Sequence, residues 1–532
     1  MAYMKLPDPV VRAAFARLAA LASPTAADVQ RLKVELAEAY KLDAVPSNAD
    51  LLSAATGEER ARFESLLRTK PTRSLSGVVI VTIQSSPEAC PHGQCTFCPG
   101  GPEWGTAMSY TGKEPAARRA LRHAFDPYAQ TASRLEDLHA TGHPVDKVDF
   151  IVQGGTFTAR DPAYQTAFLK AAFDAMNAWG GHRPDRAATL EEAMRANEDA
   201  HARMIGLTIE TKPDWAQREH LDLALDYGTT RIELGLQTTD ERALAATNRG
   251  HTLAESIEAV ALVKDAGLKL CAHVMPGLPG SSYESDLETF RRMFQDPDFR
   301  PDMLKIYPTL VIPGTPLALL HARGRFEPVD EAYCAKLLAE AKRRFVEPWC
   351  RIQRIDRDIP STEIAAGVKK LNLRQLVLAE LARDGSRCRC IRCREAGRRP
   401  RSDGEVALVE RRYAASGGVE HFASIEDVEA DAILGFVRVR EPGPRVWRPE
   451  AEGAAFLREL RVYGSEVPIG AAPGDSPALQ HRGLGARLLE RAEAIARGAG
   501  YRRLLVTSGV GVRAYYAKHG YERAGAYMGK TL

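Results

Sequence analysis

Short apolar runs separated by helix-length stretches constrain this chain more than any other feature of its sequence. GVVIVTI (77–83), KVDFIV (147–152), MIGLTI (204–209), TRIELGL (230–236), LKLCAHVM (268–275) and DMLKIYP (302–308) each suit one strand, and helical sequence fills the intervals. Six βα units in series predict a parallel sheet, because a long crossover returns the chain in the same direction. In such sheets ligands gather at the C-terminal strand ends. Polar residues stand there: Gln153-Gly154-Gly155-Thr156 after the second strand, Glu210 to Asp214 after the third, Gln237-Thr238 after the fourth, His273 to Pro279 after the fifth, and Lys305 and Tyr307 at the sixth. Packing alone would not select polar groups at one end of every strand.

At 532 residues the chain is too long for one hydrophobic core, and two or three domains are expected at roughly 150 residues each. A composition of 45% hydrophobic and 27% charged residues excludes a disordered, collagen-like or disulfide-scaffold protein. No apolar stretch approaches the roughly 20 residues of a membrane span, and the N-terminus has no basic-then-apolar signal layout. A cytoplasmic protein without a membrane partner is the expectation.

Six of the nine cysteines fall into two tight triplets, which read as two metal sites in a reducing compartment. Cys90, Cys95 and Cys98 directly follow the first strand. Three thiolates leave one iron of a 4Fe-4S cube open to a small molecule, whereas a structural zinc site normally closes with a fourth protein ligand. Phe97 would shield such a cluster from water. A zinc knuckle completed by His92 or a distant residue is the alternative. Cys388, Cys390 and Cys393 are spaced to grip one structural zinc ion in a segment with too few large apolar residues to order itself. Its fourth ligand is open among Cys334, Cys350 and a histidine, and a second iron-sulfur cluster is the rival reading.

The last third of the chain has different chemistry. ILGFVRVR (433–440) and FLRELRVYG (456–464) read as strands, and Gln480-His481-Arg482-Gly483-Leu484-Gly485 leads into the helical ARLLERAEAIARGAG. Glycines let backbone amides face a pyrophosphate, the helix N-terminus adds partial positive charge and Arg482 a full one. A plain helix cap is the alternative. Charge is uneven: Arg387 to Gly404 holds seven arginines against two acids, and Lys342 to Arg374 holds nine basic residues against four, while the whole chain carries only +3. Such asymmetry is expected where one face lies on phosphates, a solvated arginine-rich loop being the alternative. The first 75 residues are helical and mildly basic.

The cysteine triplet and the glycine pair resemble the radical S-adenosylmethionine superfamily, with one residue more between Cys90 and Cys95 than its commonest spacing. The resemblance implies that the open iron binds S-adenosylmethionine and that Gly154 and Gly155 meet its methionine group. The glycine turn, with YRRLLVTS and GVGVRAYYAKHGY beyond it, resembles the Gcn5-related N-acetyltransferases, in which Gln480, Arg482, Gly483, Leu484, Gly485 and Ala486 would hold acetyl-coenzyme A. Tyr515 or Tyr516 would lie near the thioester sulfur, though both could simply pack. The two together, with CPGGP, SYTGKEP, ETKPD, RIELGLQ, NRGHT, HVMPGLPG and ELRVYGS, resemble the Elongator catalytic subunit family.

That resemblance implies an α/β fold: a partial (β/α)6 barrel and a C-terminal α+β acetyltransferase domain, behind an N-terminal helical segment. Boundaries are expected at 1–74 for the helical, tRNA-contacting segment, 75–372 for the barrel, 373–404 for a basic zinc-binding linker and 405–532 for the acetyltransferase. The implied activity forms 5-carboxymethyluridine at the wobble uridine of a tRNA anticodon stem-loop. It requires an electron donor for the cluster and acetyl-coenzyme A as co-substrate. Carbon 5 of uridine is a poor nucleophile toward a thioester, so a radical route accounts for both modules in one chain. By motif Lys147, Glu459, Leu460, Arg461, Val462 and Tyr516 would touch acetyl-coenzyme A. Lys305 and Tyr307 are candidates for positioning substrate or acetyl group. A homodimer is left open and no accessory subunits are evident. Two other readings stand beside it: a protein lysine acetyltransferase on a barrel scaffold, and a zinc- and tRNA-binding module without turnover.

Overall fold

The computed structural model describes residues 4–74, 76–183, 185–370, 372–399, 402, 404–464 and 483–532. Its first sheet is parallel and runs in chain order: β1 (Val78–Gln84), β2 (Lys147–Gln153), β3 (Arg203–Thr211), β4 (Arg231–Gln237), β5 (Lys269–Val274), β6 (Met303–Ile306) and β7 (Arg351–Arg354). Six strands lie on the apolar runs. The seventh, Arg-Ile-Gln-Arg, has one apolar residue and leaves no periodic signal, yet it continues the ladder by pairing Arg351 with Met303. Among the described residues no pairing joins β7 back to β1, so the sheet is a half-barrel.

The crossovers place helices on the convex face, and their starts are fixed locally. Thr252 and Glu255 cap the helix Leu253–Asp265 reciprocally, and Thr189 with Glu192 does the same for Leu190–Asn197. On β4 the outward Ile232, Leu234 and Leu236 are buried under these helices. The alternate residues Arg231 and Glu233 turn to the concave side, as the two-residue period of a strand demands. Four N-terminal helices, Asp8–Ala19, Ala26–Ala39, Asn48–Ala54 and Gly57–Leu67, enclose a small core of their own around Phe15, Leu36 and Phe63.

The C-terminal sheet is mixed. Its strands are β8 (Val406–Ala415), β9 (Gly418–Asp427), β10 (Ala432–Glu441), β11 (Ala455–Val462), β12 (Arg503–Val506), β13 (Glu522–Ala524) and β14 (Tyr527–Thr531), in the order β13-β14-β12-β11-β10-β9-β8. β11 and β12 pair in parallel only from Ala455–Leu504 to Leu457–Val506, then part. The helix Leu484–Gly498 packs on β10 and β11.

A single hydrophobic core runs through both sheets, and a buried ionic lattice locks them together. Asp302, just before β6, accepts from Arg458 Nη1 at 3.1 Å and from the Leu270 N–H at 2.8 Å, with Arg438 Nε at 3.3 Å. Asp265 accepts from Arg440 Nε at 2.8 Å, and Glu420 accepts from both Arg458 and Arg440. All of these side chains are fully buried. Charges so far from water are tolerable only because each meets an opposite partner. Among the described residues no helix is long and apolar enough to cross a membrane.

Candidate active site

Beyond β1 the chain turns over the C-terminal ends of the parallel strands and delivers Cys90, Cys95 and Cys98 to a cleft with Met108, Gly155 and Lys212 among its walls. The three sulfurs do not gather within 4.8 Å of one another as Cys388, Cys390 and Cys393 do. The wider spacing suits the corners of a multi-iron cluster and the tighter one a single ion. Each sulfur meets a donor: Thr156 Oγ1 lies 3.5 Å from Cys90, Arg249 Nη1 and His92 Nε2 each 3.2 Å from Cys95, and Ser109 Oγ 3.1 Å from Cys98. Burial pushes the Cys90 thiol up and that of Cys98 up to about 12. Cys90 and Cys98 therefore stay protonated until a positively charged group takes them as thiolates, and that is what iron does.

Gly154 and Gly155 have φ of +127° and +83°. A methyl on Gly154 would overlap Ser85 Oγ, and one on Gly155 would come 3.0 Å from Met108 Cβ and 3.6 Å from Cys90 Sγ. Only glycine gives both the conformation and the room for a ligand to reach this backbone.

Below the cleft the concave side of the half-barrel is polar in successive layers. Gln153 Nε2 donates to Glu210 at 3.1 Å, Tyr110 Oη donates at 3.5 Å, and Lys305 Nζ lies 3.5 Å from the same carboxylate. Lys305 also binds Glu233, which faces His273 Nε2 at 2.8 Å and Arg231 Nε at 3.5 Å. Arg231 in turn lies 3.3 Å from Asp149. Burial opposes charge on Glu233, but Lys305, His273 and Arg231 outweigh it and hold the carboxyl well below its usual range. Tyr307, beside Lys305, is pushed up to about 12 by burial.

The charged layers continue toward the C-terminal sheet. Glu459 of β11 acts on both Arg231 and Lys269, and Arg461 acts on Lys269, at the starting ends of β4 and β5. Gly509 and Gly511, just after β12, pack directly on the backbone of β3 near Ile205 and Arg203. The C-terminal sheet thus meets the half-barrel at the starting ends of its strands, and the cysteines lie at the other end. Lys147 starts β2 at the end that meets the C-terminal sheet, in register with Arg203.

Gly483, with φ +80°, caps the helix that begins at Leu484, and the first-turn N–H groups of Gly485 and Ala486 have no hydrogen-bond partner among the described residues. That start is two residues earlier than the sequence pattern indicates. Gln480 and Arg482 lie outside the described residues. The Tyr515 hydroxyl reaches this helix start, 3.0 Å from where a Gly485 side chain would begin. Tyr516 is buried against Tyr521, ring centroids 5.8 Å apart.

Four family descriptions match: the ELP3 N-terminal domain over residues 10–75, the radical SAM superfamily over 85–293, the radical SAM C-terminal domain over 301–383, and the GNAT acetyltransferase family over 392–521. A tRNA uridine(34) acetyltransferase of Methanocaldococcus jannaschii is 44% identical over 515 residues, covering 95% of this chain and 94% of that one. Elongator complex protein 3 of Homo sapiens is 41% identical over 525 residues, covering 95% and 93%. The chain belongs to the Elongator complex protein 3 family. The structure of an archaeal Methanocaldococcus infernus Elp3 lacking its N-terminus superposes with a TM-score of 0.75 at 40% identity, over 86% of this chain and all of that one. For an Elp3-family protein the two domain types imply a 4Fe-4S cluster, S-adenosylmethionine and acetyl-coenzyme A. The cysteine cleft and its glycine cradle fit the first two.

Sequence reasoning missed Glu233 and Arg249. Glu233 was hidden inside a strand motif, where an acidic residue between apolar neighbours is itself the signal. Arg249 lay in NRGHT, noted only as a family motif. Nor do the basic segments all face solvent in this Elp3-family chain. Lys342 is buried with Nζ 3.0 Å from Cys388 Sγ, and Arg394 is buried between Glu426 and Asp431. Lys369, Lys370, Arg387 and Arg389 are exposed. Neither Cys334, Cys350 nor any described histidine completes a compact group with the second triplet.

Proposed function

We propose that this chain modifies the wobble uridine of tRNA, using S-adenosylmethionine and acetyl-coenzyme A to form 5-carboxymethyluridine. The polar concave face carries the reading: linked side chains run from the cysteine cleft through Glu210, Lys305 and Glu233 to Arg231, on which the charge of Glu459 in β11 acts. A scaffold barrel needs no such interior. The archaeal relatives named for tRNA uridine 34 supply the substrate class, and the exposed basic residues near the second triplet supply its phosphate contacts.

Cys90, Cys95 and Cys98 would hold the cluster, and Gly154 and Gly155 would meet the methionine group. When bound, the cluster and S-adenosylmethionine supply a carbon radical that removes hydrogen from a methyl group. The remaining work of the chain is to orient its ligands and exclude water. Lys147, Glu459, Leu460, Arg461 and Val462 frame the acyl end. Gly483, Leu484, Gly485 and Ala486, with Gln480 and Arg482, take the pyrophosphate, and Tyr515 or Tyr516 faces the thioester. Lys305 and Tyr307 position base or acyl group on the lumen wall. Cys388, Cys390 and Cys393 hold a structural zinc ion whose net negative thiolate shell Lys342 offsets. A cytoplasmic location and the four-part division of the chain belong to the same reading.

The test is nucleoside mass spectrometry of tRNA after anaerobic incubation with S-adenosylmethionine, a reductant and acetyl-coenzyme A. Cys95→Ala is expected to abolish modified uridine while acetyl-coenzyme A binding persists. Undiminished modification in that variant refutes the radical role. Acetylated protein formed independently of S-adenosylmethionine would favour a protein acetyltransferase instead.

A further inference from the structure

The loop Thr247–His251 is assigned no role by the reaction, yet it is stitched onto the cysteine loop along its length. Thr96 N–H donates to Thr247 O at 3.1 Å, and Asn248 Nδ2 donates to Gln94 O at 2.9 Å. Gly250, at φ +67°, lies so close to His92 that no side chain fits between them. Arg249, held by this seam, is 5% exposed. One terminal nitrogen, Nη1, donates to Cys95 Sγ at 3.2 Å, and the other, Nη2, donates to Gly235 O at 2.6 Å, at the end of β4. Gly235 leaves room for that approach: a methyl there would stand 3.2 Å from Nη2 and 2.8 Å from Gln237 Nε2.

A guanidinium cannot lose its proton in a protein, so its charge is permanent. A cluster held by three thiolates is anionic and gains another negative charge when reduced. Hydrogen bonds to the ligand sulfurs and fixed charges beside them set the potential of such a centre. Lys212, the other cation at this wall, lies 3.3 Å from its own counter-ion Asp214, whereas Arg249 has no carboxylate partner among the described residues.

Resting on the reading that Cys90, Cys95 and Cys98 carry a 4Fe-4S cluster, we propose that Arg249 is a positioning residue that sets the reduction potential of that cluster. It fixes the Cys95 thiolate by a charged hydrogen bond and favours the reduced state that cleaves S-adenosylmethionine. This gives the Asn-Arg-Gly-His-Thr motif a function: Asn248 and Gly250 lock the loop, and Arg249 delivers the charge.

The experiment is an anaerobic redox titration of the reconstituted full-length protein, followed by electron paramagnetic resonance, with iron and sulfide determined in parallel. Wild type, Arg249→Lys, Arg249→Gln and Gly235→Ala are compared. Arg249→Gln is expected to load iron normally but to show a roughly tenfold lower ratio of reduced to oxidised cluster at fixed ambient potential, equivalent to about 59 mV for one electron. Arg249→Lys, which keeps the charge, should recover most of that difference. Gly235→Ala, which keeps the arginine but presses on Nη2 and on Gln237, should fall between. An unchanged midpoint in a fully loaded Arg249→Gln protein overturns the proposal. If that variant takes up no iron, an unchanged midpoint in Gly235→Ala overturns it instead. A wild-type protein that forms no reducible 4Fe-4S cluster sinks the underlying reading, and the proposal with it.

Discussion

Replacing Asp302 with asparagine tests whether the two large domains act as one body. The substitution keeps the shape and removes one negative charge from a site where every neighbour is fully buried. Arg458 would be left with Glu420 alone, and Arg438 with Glu459 at 3.8 Å. Removing one member of a buried ion pair costs about 3–5 kcal/mol, chiefly because the abandoned charge cannot reach water. For domains of this size that corresponds to a fall in melting temperature on the order of 10 °C. Burial works against the Asp302 charge, but Arg458, Arg438 and Lys264 hold its carboxyl well below the ordinary range. The unfolded chain therefore takes up the proton first, near pH 4. The wild-type advantage is complete above that pH and shrinks as pH falls further toward the folded-state value. Thermal melts with limited proteolysis at pH 7.5 and at pH 3.5 measure both effects. A loss below about 1 kcal/mol at neutral pH, with no new cleavage between residues 383 and 405, would show that the lattice is not what joins the domains.

Lys305→Met removes the principal counter-charge of the fully buried Glu233 and should cost about 3–5 kcal/mol. The double variant Glu233→Gln/Lys305→Met should regain most of that stability in thermal melts but no uridine modification, and recovery of both would make the pair structural only. Cys390→Ala should lose one equivalent of zinc by elemental analysis and expose the Arg387–Gly404 segment to protease, whereas equal metal content in variant and wild type would dismiss the zinc site. Burial with Arg249 and Lys212 holds His251 down at about 2, and burial with Lys212 and Arg249 holds His92 at about 4. Both stay neutral in the fold while the unfolded chain protonates near pH 6.5. The metal-free protein should thus lose stability as pH drops below that value, and His251→Leu should flatten the slope, since neither ring nitrogen has a partner among the described residues.

The parallel sheet was legible because its outward residues form unbroken apolar runs, and the cysteine cleft because ligand spacing is local in sequence. β7 escaped notice for the opposite reason: Arg351 and Arg354 point to charged neighbours, so only its pairing with β6 makes it a strand. β8 and β9 were also missed, since Val406, Leu408, Glu410 and Arg412 on the outer face of β8 are exposed and mix apolar with charged residues. The lumen was half visible. Lys305 and Tyr307 stood out near a strand end, but Glu233 gains meaning only once Lys305 and His273, 72 and 40 residues away, close on it. The Arg249–Cys95 contact joins residues 154 apart and has no local signature at all.

One dimension of the half-barrel sets a requirement on the chemistry. β4 runs seven residues from Arg231, beside Glu459, to Gln237 at the rim of the cysteine cleft. At about 3.3 Å per residue the concave face is roughly 20 Å long, and buried ion pairs of Arg231, Glu233 and Lys305 fill it between the two ends. On the proposed reaction, atoms that start at opposite ends of that face must therefore be brought together by a long thioester tether, an everted nucleotide, or both, past those ion pairs.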